Sequence, residues 1–195
     1  MLFRSAVGEG ADRGVDVAVG CHEDHPLGAA FRDVLVLELL GEGEAVDLVE
    51  QAPRLAGVLH GGPTIMAEGS EAQKAEHIRN ILSGEEVWCQ GFSEPVAGSD
   101  LAGLQTRAER DGDHYVVNGH KIWTSFAQVA DYCELLVRSD PNAQKHRGIS
   151  WLIMPMDLEG IDIRPLPTLE GEGEFSEVFL ENVRIPIENR IGDEN

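Results

Sequence analysis

Two segments of this chain gather residue types that could handle a ligand. The first is Gly91-Phe92-Ser93-Glu94-Pro95-Val96-Ala97-Gly98-Ser99-Asp100-Leu101-Ala102-Gly103. It reads as a strand that stops at Pro95 and enters a loop of small residues. Such a loop lets a ligand approach the backbone closely and offers exposed N–H and hydroxyl donors. The same residues also suit a wide β-turn in which Asp100 satisfies its own amides. The second segment is Asn118-Gly119-His120-Lys121-Ile122-Trp123-Thr124-Ser125. A tryptophan followed by two hydroxyl residues at a strand end could set an aromatic face and hydrogen-bond donors beside a flat cofactor. Trp123 could equally be a packed core residue. Taken separately, neither segment decides.

The elements that must position these residues change character along the chain. Residues 1–51 are Gly-rich and acidic, with 11 Asp or Glu against 3 Arg. Short helices over Gly28 to Leu40 and Glu44 to Ala52 fit there, without a clear period. Residues 52–84 are helical. Pro63 suits a first helical position and Gly69 a terminator. Ser70-x-x-Gln73 is a capping box opening a helix with Ala75, Ile78 and Leu82 on one face, ended by Ser83-Gly84. In residues 85–195 the period switches to two. Leu104, Thr106 and Ala108 alternate with polar residues, and Asp111-Gly112-Asp113 makes a turn into a strand from His114 to Val117. Asn118-Gly119 reads as a hairpin turn. Lys121–Thr124, Tyr132–Val137, Ile149–Met154, Ile161–Leu166 and Ser176–Leu180 continue the series. The fold class expected is α+β: a short helical N-terminal segment followed by an antiparallel β-barrel or sandwich.

Composition narrows the function. The 195 residues hold 15 Lys plus Arg against 35 Asp plus Glu, a formal charge of −20. That balance opposes a nucleic-acid partner, which needs a basic surface, and adsorption to anionic membranes. Cys21, Cys89 and Cys133 are too few and too scattered for a disulfide framework or zinc knuckle and read as reduced, buried thiols. The longest apolar run, Val34 to Leu40, contains Glu38 and is far short of the roughly 20 residues a spanning helix needs. With no secretory or transit signal at the start, the expected location is cytoplasmic.

Taken together, the two segments resemble one family in order and spacing. Ser93-Glu94-Pro95-x-Ala97-Gly98-Ser99-Asp100, then Asn118-Gly119-x-Lys121-x-Trp123-x-Ser125, is similar to the flavin-binding middle domain of acyl-CoA dehydrogenases. Gly62-Pro63-Thr64-Ile65 with Gly69-Ser70-Glu71-x-Gln73-Lys74 resembles the end of that family's N-terminal helical domain. Phe175-x-Glu177-Val178-Phe179-x-x-Asn182-Val183-x-Ile185-Pro186 resembles its closing strand. The resemblance runs from about Ala52 to Asn195, and the opening 51 residues do not share it.

The resemblance implies FAD as cofactor and α,β-dehydrogenation of an acyl-CoA thioester, a base taking the α-proton while hydride leaves the β-carbon for the flavin. It implies that Gln90, Phe92 and Ser93 run along the flavin, with Ser93 and amides near Phe92 at its pyrimidine edge. Gly98 and Ser99 would lie by the pyrophosphate, Ser99 also by the acyl thioester chain. Trp123 would cover the ring, with Thr124 and Ser125 at its N5 side. It further implies an electron-transfer flavoprotein as acceptor and a homodimer or homotetramer. Trp88 to Pro95 resembles bacterial members acting on branched, cyclic or steroid side-chain thioesters. Phe92 stands where many members have a smaller aliphatic residue, Gln90 where many have Tyr or Ala, and Val96 where Gly or Asn is usual.

In the family the catalytic carboxylate comes from a C-terminal helical bundle, and this sequence stops at Gly192-Asp193-Glu194-Asn195, where that bundle would begin. The expectation is a fragment with no catalytic residue of its own, Glu94 belonging to the binding motif and the other acidic residues to solvated surface. Such a chain neither holds flavin tightly nor turns over acyl-CoA alone. Rival readings are a flavin monooxygenase or nitroalkane oxidase-type relative and a non-enzymatic binding barrel. Weaker candidates are His22-Glu23-Asp24-His25 as a metal site, His120 as an exposed turn residue, and Lys145-His146-Arg147 as a basic loop meeting CoA phosphates or only solvent. No metal is expected.

Overall fold

A computed structural model describes residues 52–169 and 171–194. The helix expected over Gly28 to Leu40, that over Glu44 to Ala52 except for Ala52 itself, Cys21 and the His22–His25 cluster lie outside them. The described chain enters through a 3-10 turn (Ala52–Arg54) and a π-helical turn (Gly57–Gly61). Helix α1 (Gly62–Glu68) follows with Pro63 in its first turn, then α2 (Glu71–Ser83). Helix α2 starts as its sequence dictates. Gln73 N donates to Ser70 Oγ (3.3 Å), and Ser70 N donates to Gln73 Oε1 (2.8 Å). Gly84 ends it at φ +70°, a conformation that glycine adopts without penalty.

The buried face of α2 differs from the expected Ala75–Ile78–Leu82 stripe: Gln73, His77 and Ile81 are buried, while Ala75 is exposed. Two polar side chains lie on this face because each finds partners there. Gln73 Nε2 donates to the carbonyls of Glu188 (2.7 Å) and Arg190 (3.0 Å), tying the helix to the end of the sheet. His77 Nδ1 lies 3.1 Å from Glu86 Oε2, and its ring meets Trp88 and Tyr132 edge-on.

Eight strands follow: β1 (Trp88–Gly91), β2 (Arg107–Asp111), β3 (His114–Ser125), β4 (Tyr132–Arg138), β5 (Ile149–Pro155), β6 (Ile161–Thr168), β7 (Gly171–Pro186) and β8 (Arg190–Ile191). They form one sheet in the order β6-β7-β3-β2-β4-β5-β8, with β1 also on β4. The sheet folds over as a sandwich without closing into a barrel. One core lies within it, around Tyr115, Val117, Leu135, Leu152 and Ile185. A second lies between the sheet and the helical segment, around Ile65, Ile81, Trp88, Leu136 and Trp151.

Two expectations need correction. Pairing is not wholly antiparallel: β1 runs parallel to β4 over Trp88–Gly91, and β2 touches β4 in parallel at Arg107↔Arg138. Both occupy the same edge of β4, β1 along its first half and β2 at its end, so the residues joining them must leave the sheet between. Nor is Asn118-Gly119 a hairpin turn. It lies inside the continuous strand β3, where the register with β7 slips between Val117 and Gly119. Glycine is required there because a Cβ would overlap the Thr106 side chain. The slip is a β-bulge. His120 is accordingly a half-buried strand residue, stacked on Phe179 and 3.1 Å from Glu177 Oε1.

Candidate active site

The loop between β1 and β2 is stitched shut at its base. Glu94 N donates to the Ala97 carbonyl (2.8 Å), and Ala97 N donates back to the Glu94 carbonyl (3.1 Å), leaving Pro95 and Val96 at an exposed tip. The Glu94 carboxylate accepts from Gln105 N (2.7 Å), Thr106 N (2.9 Å) and the buried Lys121 Nζ (2.8 Å). Burial pushes the Glu94 carboxyl up, but the Lys121 ammonium and the amide donors more than offset it and hold it below the ordinary range. Lys121 Nζ also donates to the Phe92 carbonyl (3.2 Å).

This pairing brings the two motif segments together. Ile122 N donates to the Ser93 carbonyl at 3.0 Å, so the end of β1 and the end of β3 share one edge. Beyond it β3 is distorted. Its register with β7 slips again between Lys121 and Thr124, and Trp123 adopts φ +61° and Phe126 φ +59°. A left-handed conformation in a bulky residue is strained, costing roughly 1–2 kcal/mol. Its consequence is that Trp123 is 60 % exposed, with an edge contact to Phe175 at 6.0 Å. The packed-core alternative for Trp123 therefore fails.

The remaining expected residues fall as follows. Thr124 is wholly buried, and its Oγ1 has no hydrogen-bond partner. Ser125 is half-buried opposite Phe175. Gly98 and Ser99 are exposed, and a Cβ at Gly98 would meet open space. Phe92 and Ser93 are half-buried, Phe92 packing on the second core. Gln90 is half-buried and donates from Nε2 to Glu134 Oε1 at 3.2 Å. Ser93, Trp123, Thr124 and Ser125 thus meet at one edge, with Gly98 and Ser99 on the adjoining loop. Lys145–Gly148 forms a 3-10 turn with Lys145, His146 and Arg147 exposed and Gly148 buried; Arg138 joins it to the far end of the motif loop by donating to the carbonyls of Lys145 (2.7 Å) and Ala102 (2.6 Å). A separate cavity of about 330 Å³, lined by Arg107, Arg110, Arg138, Ser139 and Glu194 among others, also lies elsewhere.

The expectation that acidic residues outside the motif are solvated is wrong for two of them. Glu86 is buried and accepts from Trp88 Nε1 (3.0 Å) and Asn80 Nδ2 (2.9 Å). Burial pushes its carboxyl up, but His77 and these donors bring it below the usual value. Glu134 is 1 % exposed and accepts from Gln90; burial pushes its carboxyl up to about 8. A carboxylate inside the apolar run Cys133-Glu134-Leu135-Leu136-Val137 was the signal for it.

Residues 89–183 match the sequence family described as acyl-CoA dehydrogenase, middle domain. The chain belongs to the acyl-CoA dehydrogenase family. Among curated members of that family, acyl-CoA dehydrogenase IpdE1 of Mycobacterium tuberculosis is 44% identical over 131 residues, covering 67% of this chain and 34% of the relative. FadE26 of the same organism is 49% identical over 136 residues, covering 68% and 34%. The chain thus spans about a third of the length of the curated acyl-CoA dehydrogenases it matches. Among solved structures, the ChsE4-ChsE5 complex from Mycobacterium tuberculosis superposes with a TM-score of 0.70 at 41% identity, covering 86% of this chain and 48% of that one. A structure described as the Tcur3481-Tcur3483 steroid ACAD gives 0.69 at 44%, covering 72% and 36%. Among the described residues of this acyl-CoA dehydrogenase chain, no helix is long and apolar enough to cross a membrane.

Proposed function

We propose that this chain forms the flavin-binding middle part of an FAD-dependent acyl-CoA dehydrogenase that introduces an α,β double bond into an acyl-CoA thioester. The observation that carries the reading is the Ile122–Ser93 hydrogen bond, which sets an exposed indole and an unpartnered buried hydroxyl at the end of the serine-bearing strand. The residues present fit a flat, polar-edged ring. Trp123 offers an uncovered aromatic face held out by its backbone, Thr124 Oγ1 awaits a partner, and Gly98 leaves room for close backbone approach.

When bound, the flavin supplies the acceptor for the hydride leaving the substrate β-carbon. The chain's own residues do the rest. Trp123 covers one face of the ring and excludes water from it. The Ser93 hydroxyl and amides near Phe92 donate to the edge where negative charge gathers on reduction. Ser125 would donate on the other side, with the buried Thr124 behind it and Gln90 along the ring. Gly98 and Ser99 hold the pyrophosphate and the thioester chain. Neither of the buried carboxylates Glu94 and Glu134 suits the base: Glu94 is committed to Lys121, and Glu134 is too deeply buried to meet an α-proton. The base is assigned to a part of the enzyme outside these residues. The substrate is a branched, cyclic or steroid side-chain thioester, in line with the steroid enzyme among the structural relatives. The acceptor is an electron-transfer flavoprotein, and the enzyme works as a homodimer or homotetramer.

Titration of the chain with FAD, followed by flavin fluorescence, tests the reading. Saturable but weak quenching is expected, lost in Trp123→Ala and weakened about tenfold in Ser93→Ala, the loss of one hydrogen bond. No quenching at high FAD, or equal quenching by wild type and Trp123→Ala, overturns it.

A further inference from the structure

The loop that carries Gly98 and Ser99 is closed at its base by the motif itself, through the Glu94 carboxylate and the amides of Gln105 and Thr106. Its far arm is the 3-10 turn Leu101–Gly103, in which Gly103 N donates to the Asp100 carbonyl (3.0 Å) and Leu104 N to that of Leu101 (3.1 Å). That turn has no side-chain cap, and its three residues are partly exposed. A residue outside both motifs holds it. Arg138, the last residue of β4, donates from Nη2 to the Ala102 carbonyl (2.6 Å) and from Nη1 to the Lys145 carbonyl (2.7 Å). Its main-chain N donates to the Thr106 carbonyl (2.6 Å).

The geometry uses the shape of the guanidinium more than its charge. Among the described residues no carboxylate pairs with Arg138; its planar fork aims two N–H donors at carbonyls on separate loops. A lysine ammonium is a compact point charge on a flexible stem and does not hold two such carbonyls in fixed directions. Both loops are shaped for the contact. Lys145, whose carbonyl is taken, adopts φ +54°, a conformation uncommon outside glycine that needs support. A Cβ on Gly148 would stand 3.0 Å from Arg138 Nη1 and overlap the Asp140 carbonyl oxygen, so glycine lets the second loop close in. We propose that Arg138 is a positioning residue for the phosphate end of the flavin. By pinning Ala102 it fixes the 3-10 turn and, through Asp100, the adjoining Gly98 and Ser99 where they receive the pyrophosphate. A loop ordered before the ligand arrives does not charge that ordering against binding. This rests on the flavin reading above and goes further in assigning the set of the loop to a residue that does not touch the ligand.

The test uses the full chain with FAD and with riboflavin, which has the ring and no pyrophosphate. Wild type is expected to bind FAD about tenfold more tightly than riboflavin, the difference of one charge-assisted hydrogen bond. Arg138→Lys and Arg138→Met are both expected to bring FAD down to the riboflavin level while riboflavin affinity stays unchanged. The lysine variant keeps the positive charge, so it separates a clasp on the loop from attraction of phosphate at a distance. A second readout needs no flavin. In both variants the amides of Gly103 and Leu104 should exchange with solvent about tenfold faster, while those of Glu94 and Ala97 at the loop base keep their wild-type rates. Arg138→Lys retaining the FAD preference, exchange unchanged at Gly103 and Leu104, or exchange raised equally at Glu94 and Ala97 overturns the positioning role. So does a wild type that binds the two flavins alike; all four outcomes leave the ring-binding reading intact. Failure of wild type to bind either flavin overturns both.

Discussion

Lys121 Nζ sits 2.8 Å from Glu94 Oε1 with both side chains shut off from solvent, at the point where the end of β1 meets β3. Burial alone pushes the Lys121 ammonium down, and Glu94 opposes that shift. Removing one partner leaves the other charged and buried, so Lys121→Met is expected to cost about 3–5 kcal/mol of stability. The double variant Glu94→Gln, Lys121→Met should recover part of the loss, because an amide oxygen still accepts from Gln105 or Thr106. Chemical unfolding of the three proteins measures this, and additive losses would show that the two side chains do not act as a pair.

The bulge at Gly119 makes a separate steric prediction. A Cβ there would lie 2.6 Å from the Thr106 Cβ and Cγ2 atoms, which are fixed in the core. Gly119→Ala is expected to cost about 1–3 kcal/mol by overpacking. Thr106→Gly in the same chain should relieve much of that cost, since it removes the obstructing side chain. In a hairpin turn the second substitution would bring no relief. Thermal unfolding of the single and double variants distinguishes the two.

These two contacts also show what the sequence could and could not reveal. Local chemistry was legible. The Ser70/Gln73 capping box, the Gly84 terminator, the Asp111-Gly112-Asp113 turn and the alternation Leu104, Thr106, Ala108 all appear as read. Asn118-Gly119 misled because the pair signals a turn through φ tolerance, whereas here glycine is needed for closeness to Thr106, a demand made by a residue thirteen positions earlier. The α2 face misled because Gln73 and His77 are buried by polar partners at Glu188, Arg190 and Glu86, which no hydrophobic period records. At the site, Ser93, Trp123 and Ser125 were legible as types and spacing. Lys121 was visible only as part of a motif, and the Gln90–Glu134 contact depends on a parallel β1–β4 register that the sequence does not announce.

Trp123 offers a prediction in which stability and binding move in opposite directions. Its side chain is 60 % exposed, so little burial is lost on truncation, while its φ of +61° is one that only glycine adopts freely. Trp123→Gly is therefore expected to leave the flavin-free chain unchanged or more stable by about 1 kcal/mol. The same substitution should abolish flavin quenching, as is expected of Trp123→Ala. Calorimetry and FAD titration on one preparation check both halves. A strongly destabilised Trp123→Gly chain would mean that the indole packs as core.

The buried carboxyls divide the pH dependence of stability into two windows of opposite sign. Glu86 and Glu94 lie below the ordinary carboxylate value when folded, so their contribution is present above the unfolded value and lost as pH falls through the folded one. Glu134 behaves in the reverse sense. Its folded value of about 8 means that the folded chain keeps a proton the unfolded chain releases; stability from this group is complete below the unfolded value and declines as pH rises toward 8. The two slopes meet at about pH 5, where stability should be greatest, and by pH 7 the Glu134 cost is on the order of 3 kcal/mol. Glu134→Gln should flatten the upper slope and leave the acid limb in place. Urea midpoints from pH 4 to 9 read this directly, and a wild-type profile flat between pH 5 and 8 would place the Glu134 carboxyl in contact with water.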